Sequence, residues 1–161
     1  MNDTSELVSR VAGARFVTKL DLSKAYFQIP ITEESQKYTG FIAHCGKFSY
    51  KVLPMGLKCA SFTCQRLLDR VLRGMHRCTG TLIDDILIFS KQFDLHLGHV
   101  REVLDRLREA GLTLNTRKCT FASNNINIFG HTVHDGLISP DDEKIAVVAN
   151  WPVPKNKKAT P

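Results

Sequence analysis

The chain has 161 residues, of which 43% are hydrophobic and 24% are charged. This length can bury one ordinary hydrophobic core but not two full domains, and no apolar run approaches the ~20 residues needed to cross a bilayer. The first residues carry acids without a basic flank, which is unlike a secretory signal, so we expect the protein inside the cell or a particle. The 22 Lys and Arg against 16 Asp and Glu give a net charge of +6, which suits a polyanionic partner without requiring one.

The first half of the chain predicts a helix, a strand, a hairpin and a second helix. Apolar spacing favours a helix over residues 4–12, a strand over 16–22 in which Asp21 points away from the face of its apolar neighbours, a hairpin over 39–52 and a helix over 58–76. The order of these elements is typical of a mixed α and β domain.

The second half of the chain adds strands around a third helix. Residues 79–90 predict two strands joined by a tight acidic turn, 96–110 a helix closed by Gly111, 112–114 a strand, and 126–138 a hairpin with Asp135-Gly136 at its turn. The Pro- and Lys-rich residues 151–161 predict a linker. We therefore expect an α+β sandwich of the split β-α-β type, with two helices on one face of a mostly antiparallel sheet.

Two Asp-Asp pairs differ in their surroundings. Asp141 and Asp142 follow Ser139 and Pro140, a pattern typical of a helix start in which the serine caps the helix. Residues 84 and 85 are instead an Asp pair with apolar strand on both sides. Two carboxylates about 4 Å apart repel by roughly 4 kcal/mol at an effective dielectric near 20, which a bound divalent cation would reverse. The alternative is an exposed turn in which both acids are hydrated.

The position of Asp21 favours the interpretation with a bound cation, because Asp21 ends a strand expected to lie beside the Asp84-Asp85 hairpin. Three converging carboxylates supply the hard oxygen ligands that Mg²⁺ prefers, and two such ions about 3.5–4 Å apart suit nucleotidyl transfer.

Four segments of the chain carry a family resemblance, in order and in spacing. They are residues 20–30 (LDLSKAYFQIP), 53–58 (LPMGLK), 82–90 (LIDDILIFS) and 111–119 (GLTLNTRKC), and residues 129–131 and 151–154 continue the pattern. Together they resemble the reverse transcriptases of gypsy-type long-terminal-repeat retrotransposons and of retroviruses.

The resemblance implies a polymerase palm with a ferredoxin-like split β-α-β sheet and a partial fingers hairpin. It places a reverse transcriptase domain at residues 1–150, with fingers at about 31–57, and a linker at 151–161 toward the rest of a Pol polyprotein. The implied activity is RNA-directed DNA polymerisation with two Mg²⁺ or Mn²⁺ ions. The implied partners are an RNA or DNA template with its primer, dNTPs, and the remaining fingers, thumb and RNase H regions. The implied location is the cytoplasm or a virus-like particle, and no membrane partner is expected.

The resemblance also assigns roles to residues. It implies that Asp21, Asp84 and Asp85 are the catalytic acids and metal ligands, with the carbonyl of Leu22 near the second metal. The implied nucleotide-binding residues, of which Tyr26 blocks a ribose 2′-hydroxyl, are Tyr26, Met55, Gly56 and Lys118. The implied template- and primer-binding residues are Lys58, Gln65, Leu82, Gly130 and His131.

Two departures from the family pattern keep alternatives open. Leu82 stands where the family usually has Tyr, and Cys59-Ala60-Ser61 where it usually has Asn-Ala-Pro. A catalytically silent nucleic-acid-binding remnant is the main alternative. A nucleotide cyclase is disfavoured because no Gly-Gly pair precedes the acidic turn.

Two further patterns each have two possible interpretations. Four arginines at helical spacing predict a basic stripe that could follow phosphates or simply face solvent; they are Arg66, Arg70, Arg73 and Arg77. A zinc site built from Cys119, His131 and His134 is disfavoured, because the two histidines lie three apart on a predicted strand and so on opposite faces.

Overall fold

The computed structural model describes residues 4–128, 130–134, 137–140, 145–147, 150 and 151. The predictions for Phe129, for the Asp135-Gly136 turn, for Asp141 and Asp142 and for residues 152–161 lie outside these ranges. Within them, no helix combines the length and the apolar character needed to cross a membrane.

A four-stranded antiparallel sheet forms the centre of the structure. Its strands are β1 (Phe16–Asp21), β4 (Thr79–Leu82), β5 (Asp85–Ser90) and β6 (Thr120–Ser123), in the order β4-β5-β1-β6. This sheet and its helices confirm the predicted α+β class. Strand β6 was not predicted, and the strand predicted at 112–114 is reduced to a single bridge between Leu22 and Leu114.

Two helices cover one face of this sheet, as predicted. Helix α3 (Ala60–Val71) and helix α4 (Phe93–Glu109) pack on apolar side chains of β1 and β5. The fully buried members of this core are Leu20, Leu68, Ile86, Ile88, Val103 and Leu107. Helix α3 is shorter than predicted. Helix α4 ends where predicted, with Gly111 in the left-handed conformation at φ +70° just beyond it.

The other face of the sheet is also covered, which was not predicted. Helix α1 (Thr4–Val11) and a three-stranded sheet of β7 (Asn125–Ile128), β8 (His131–His134) and β9 (Leu137–Pro140) pack on it. The contact is close, because a Cβ on Gly80 would lie 1.9 Å from Leu7 Cδ1. The predicted helix cap at Ser139 is wrong, because Ser139 pairs with Thr132 in the ladder between β8 and β9.

A small hairpin projects from the chain between β1 and α3. After the single-turn helix α2 (Glu33–Gln36), strands β2 (Phe41–Ala43) and β3 (Gly46–Phe48) pair from Phe41 opposite Phe48 to Ala43 opposite Gly46. The ring of Phe41 stacks on that of Phe48 at 5.7 Å between centroids. This is the hairpin predicted within residues 39–52.

Candidate active site

Strand pairing brings the three candidate carboxylates to one end of the central sheet. Asp21, the last residue of β1, lies directly opposite Asp85, the first residue of β5. Asp84 precedes Asp85 in the tight turn between β4 and β5, and its backbone oxygen accepts a 3.4 Å hydrogen bond from the Leu22 N–H. The backbone therefore gathers Asp21, Leu22, Asp84 and Asp85 as predicted.

Two lysines compensate the negative charges of Asp85 and Asp21. Lys19 Nζ lies 2.9 Å from Asp85 Oδ2, and Lys118 Nζ lies 3.8 Å from Asp21 Oδ2. Lys19 shares the Asp21 face of β1 because it comes two residues earlier. Lys118 lies in a 3₁₀ turn over Thr116–Lys118. The residue preceding this turn, Asn115, donates its N–H to the Asp21 carbonyl at 2.9 Å, and this bond holds the turn beside Asp21.

The third carboxylate, Asp84, has its pKa raised above the ordinary value. Burial is the main cause, and the neighbouring charges of Asp85 and Asp21 add to the rise, while its own backbone N–H and Lys118 oppose it. The ionised form of Asp84 is therefore incompletely compensated by the protein. A cation placed beside it would stabilise that charge.

The donor chemistry at this end of the sheet fits a divalent metal ion. Carboxylate and backbone carbonyl oxygens are the hard ligands that Mg²⁺ and Mn²⁺ take. In the described part of the chain, no three His, Cys, Asp or Glu side chains already stand close enough together to hold an ion. Binding would thus require the carboxylates of Asp21, Asp84 and Asp85 to come closer together.

The turn that carries Asp84 has an unusual backbone. Ile83 has φ +59°, in the left-handed region, which for a β-branched residue costs of order 1–3 kcal/mol. Its N–H donates to Gln65 Oε1 at 2.8 Å, and its carbonyl accepts from the Cys64 thiol at 3.2 Å. Burial, together with the charge of Asp84, raises the pKa of Cys64 to about 11, so the thiol keeps its proton at neutral pH.

Gln65 does not occupy the predicted position in contact with the template. Its side chain is only 4% exposed, and Nε2 donates to Thr81 Oγ1 at 2.7 Å and to Asp69 Oδ1 at 2.9 Å. Both ends of the amide are therefore engaged within the protein. The template assignment of Gln65 is corrected to an internal role beneath the acidic turn.

The predicted nucleotide-binding residues come from several segments, and Lys118 among them lies beside Asp21. Tyr26 lies in a 3₁₀ turn after β1, with its hydroxyl 3.0 Å from Ser61 Oγ at the start of α3. Met55 is 61% exposed, next to Gly56 at φ +90°. The side chain of Met55 is therefore accessible to a ligand, whereas Tyr26 is half-buried against the core under α3 and α4.

The remaining predicted contact residues lie in three different parts of the fold. Lys58 is exposed just before α3, whereas Leu82 is half-buried and packs toward the core that includes α1. Gly130, at φ +84°, and the partly buried His131 lie at the turn between β7 and β8. A polar cavity of about 440 Å³ adjoins β7 and is lined by Lys19, Lys118, Thr120, Asn125, Ile126 and Asn127.

The predicted four-arginine stripe is not a single helix face. Arg66 and Arg70 are exposed on α3, but Arg73 and Arg77 lie beyond its end at Val71. The chain turns at Gly74, which has φ +87°. Only the first two arginines share a helix.

Sequence reasoning missed Lys19 and Cys64 as parts of this site. The period of two along β1 had already put Lys19 on the face of Asp21, so its charge was a usable signal. Cys64 carried no comparable signal, because a buried cysteine in a helix is an ordinary core residue.

Residues 1–133 match the family described as reverse transcriptase (RNA-dependent DNA polymerase). The chain belongs to this family. The reverse transcriptase domain is 32% identical over 154 residues to the retrovirus-related Pol polyprotein from transposon 297 of Drosophila melanogaster, covering 95% of this chain and 14% of that protein. It is also 32% identical to the transposon Tf2-3 polyprotein of Schizosaccharomyces pombe, covering 95% of this chain and 12% of the relative.

These relatives confirm the resemblance to retroelement Pol polyproteins, and the chain spans about a seventh of their length or less. Reverse transcriptases generally use divalent metal ions, in keeping with the oxygen donors described above.

Solved structures share the fold of this reverse transcriptase domain. A foamy viral protease-reverse transcriptase in complex with double-stranded DNA matches with a TM-score of 0.91 at 19% identity, over 99% of this chain and 28% of that one. The foamy viral enzyme in complex with an RNA/DNA hybrid matches with a TM-score of 0.84 at 19% identity, over 94% of this chain and 21% of that one. These matches confirm the predicted fold class.

Proposed function

We propose that this chain is the catalytic palm and part of the fingers of an RNA-directed DNA polymerase within a retroelement Pol polyprotein. Residues 1–150 form the polymerase domain, with fingers at about 31–57, and residues 151–161 lead toward the thumb and RNase H regions. The reaction joins a dNTP to a primer 3′-hydroxyl. The observation that carries this proposal is Asp21 opposite Asp85, with Asp84 in the adjoining turn.

The proposed metal ligands are Asp21, Asp84 and the carbonyl of Leu22, with Asp85 supporting them. Two Mg²⁺ or Mn²⁺ ions at these residues would activate the primer hydroxyl and stabilise the leaving phosphate. Asp84 needs such a cation most, because burial and its two acidic neighbours disfavour its charge. Asp85 needs it least, because Lys19 already neutralises it at 2.9 Å.

The incoming nucleotide would lie among Tyr26, Met55, Gly56 and Lys118. Lys118 reaches the acidic end at 3.8 Å from Asp21 and is otherwise exposed, so it can turn toward a triphosphate. The ring of Tyr26, tethered through its hydroxyl to Ser61, would stand against a ribose 2′-hydroxyl.

The template and primer would follow the same end of the domain. Lys58 is exposed and able to contact a phosphate, while Gly130 and His131, at the turn between β7 and β8, would contact the primer. Leu82, at the end of β4, would lie near the primer terminus. The solved foamy viral complexes with double-stranded DNA and with an RNA/DNA hybrid support a nucleic-acid duplex as the partner.

A catalytically silent nucleic-acid-binding remnant is the second candidate. The observation that favours it is Leu82, which supplies neither ring nor hydroxyl where the family usually has Tyr. The two functions differ in chemistry and not in binding.

Primer extension separates the two candidates. The full-length polyprotein is incubated with a labelled primer on an RNA template, the four dNTPs and Mg²⁺ or Mn²⁺, and duplex binding is measured in parallel by fluorescence anisotropy. We expect binding and extension by the wild type, and binding without extension by Asp21→Asn. Duplex binding by the wild type with no extension in either ion would overturn the polymerase proposal in favour of the silent remnant.

A further inference from the structure

We propose that two consecutive residues of α3, Cys64 and Gln65, act as a bracket that fixes the backbone of Ile83 and thereby positions Asp84. This inference rests on the proposed polymerase function for its catalytic consequence. Its structural part concerns the acidic turn alone.

The bracket binds both backbone polar groups of one residue, the N–H and the carbonyl of Ile83. Gln65 Oε1 accepts the Ile83 N–H at 2.8 Å, and the Cys64 thiol donates to the Ile83 carbonyl at 3.2 Å. Both side chains come from the same turn of a helix that is anchored in the core, with Cys64 1% and Gln65 4% exposed. The turn is therefore tied to the helical layer by side chains and not only by its own strand pairing.

The amide of Gln65 is itself oriented by its neighbours. Nε2 donates to Thr81 Oγ1 at 2.7 Å and to Asp69 Oδ1 at 2.9 Å, and the Thr81 hydroxyl donates to the same Asp69 oxygen at 3.0 Å. An amide rotated by half a turn would present its NH₂ to the Ile83 N–H, donor against donor, so only one orientation satisfies every group. Asp69 thus sets the direction in which Gln65 points its acceptor.

The backbone of the turn explains why such a bracket is needed. Ile83 has φ +59°, which an L-residue with a branched Cβ rarely adopts, and it directly precedes Asp84. Without external partners the peptide would relax toward negative φ, and the direction of the Asp84 carboxylate would change with it. Gln65 and Cys64 are accordingly positioning residues that act through Ile83.

The test compares Gln65→Met, which keeps the side-chain length but removes both polar ends, with Asp69→Asn and Asp69→Ala in the full-length polyprotein. Asp69→Asn retains an oxygen that can accept from Gln65 and Thr81, whereas Asp69→Ala does not. Hydrogen exchange of the peptide spanning residues 82–86 reports on the turn, and binding of Mn²⁺ alone, followed by electron paramagnetic resonance, reports on the carboxylates.

We expect faster exchange at 82–86 and weaker Mn²⁺ binding in Gln65→Met and Asp69→Ala, with near wild-type values in Asp69→Asn. In single-nucleotide extension, kcat should fall by about ten- to a hundredfold in Gln65→Met, while KM for the dNTP changes little. If Gln65→Met fails to fold, the contrast between Asp69→Ala and Asp69→Asn carries the same test.

Wild-type exchange at 82–86 in Gln65→Met, or equal exchange in the two Asp69 variants, would overturn the bracket. Because exchange and Mn²⁺ binding need no catalysis, they test the bracket even if the wild type fails to extend primers. That failure would count against the proposed function alone.

Discussion

Lys19 forms a 2.9 Å ion pair with Asp85, the residue that faces Asp21 across the central sheet. The lysine is therefore one of two cations in the acidic cluster, the other being Lys118, whose Nζ lies 3.8 Å from Asp21 Oδ2. The charge of Lys19 compensates the repulsion between Asp85 and the two remaining carboxylates.

In Lys19→Met, the repulsion between Asp85 and the other two carboxylates should no longer be compensated by the lysine charge. We expect the free energy of unfolding without divalent ions to fall by about 1 kcal/mol, because a partly buried carboxylate loses its partner. Added Mg²⁺ should then raise the melting temperature more in the variant than in the wild type, since an ion that binds only the folded state restores the missing charge. Lys91→Met, an exposed lysine just after β5, is the matched control. An equal Mg²⁺-induced shift in wild type and Lys19→Met would contradict this role.

Tyr26 allows ring and hydroxyl to be tested separately. Its hydroxyl bonds Ser61, whereas the proposed exclusion of ribonucleotides depends on the ring. Tyr26→Phe should therefore keep most of the discrimination between dNTP and rNTP, and Tyr26→Val should relax it. The measurement is the ratio of kcat/KM values for the two nucleotides in the full-length protein. An unchanged ratio in Tyr26→Val would make Tyr26 a packing residue.

A buried histidine predicts how stability depends on pH. His96 is fully buried on α4, with Nε2 2.7 Å from Thr18 Oγ1 and Nδ1 3.0 Å from Ser90 Oγ. Burial, and secondarily the charge of His99, lowers the pKa of His96 below its ordinary value of 6.5. The folded state then resists a proton that the unfolded state accepts.

Stability should accordingly decline as the pH falls below 6.5 and level off below the lowered pKa of folded His96. One such group contributes at most about 1.4 kcal/mol per pH unit. Urea denaturation of wild type and His96→Gln at several pH values measures the difference. The variant should be less stable at neutral pH and show a shallower decline, and parallel declines in the two proteins would refute the assignment.

The acidic turn was predictable because two local signals agree there. Apolar strand residues lie on both sides of Asp84 and Asp85 without a helix-cap pattern, and the strand that ends at Asp21 is expected beside this hairpin. The structure places Asp21 opposite Asp85 in this way.

The second covered face was harder to predict, because it depends on residues distant in sequence. Val17 and Leu87 lie on the face of the sheet that also carries Lys19 and Asp85, so that face looked polar from β1 alone. Burial of both residues against helix α1 and strands β7 and β8 is a tertiary effect.

Gln65 and the last two arginines show the same limit in the helices. A polar Gln in an amphipathic helix has several possible partners, and its bonds to Thr81 and Ile83 depend on how the helix lies on the sheet. The apolar spacing continues through Leu72 and Met75, so the periodicity does not indicate that α3 ends at Val71. That spacing is why the sequence predicts Arg73 and Arg77 on the same helix as Arg66 and Arg70.

Replacing Asp84 by Asn tests the central claim, because it removes one carboxylate charge and keeps the size of the side chain. Burial and the adjacent acids already disfavour that charge, so the variant should melt at or above the wild-type temperature. In single-turnover primer extension by the full-length protein with saturating Mg²⁺, we predict a loss of about a thousandfold in rate for Asp84→Asn. No loss is predicted for Asp105→Asn, a control on the surface of α4. Extension by Asp84→Asn at the wild-type rate would contradict the assignment of this carboxylate to catalysis.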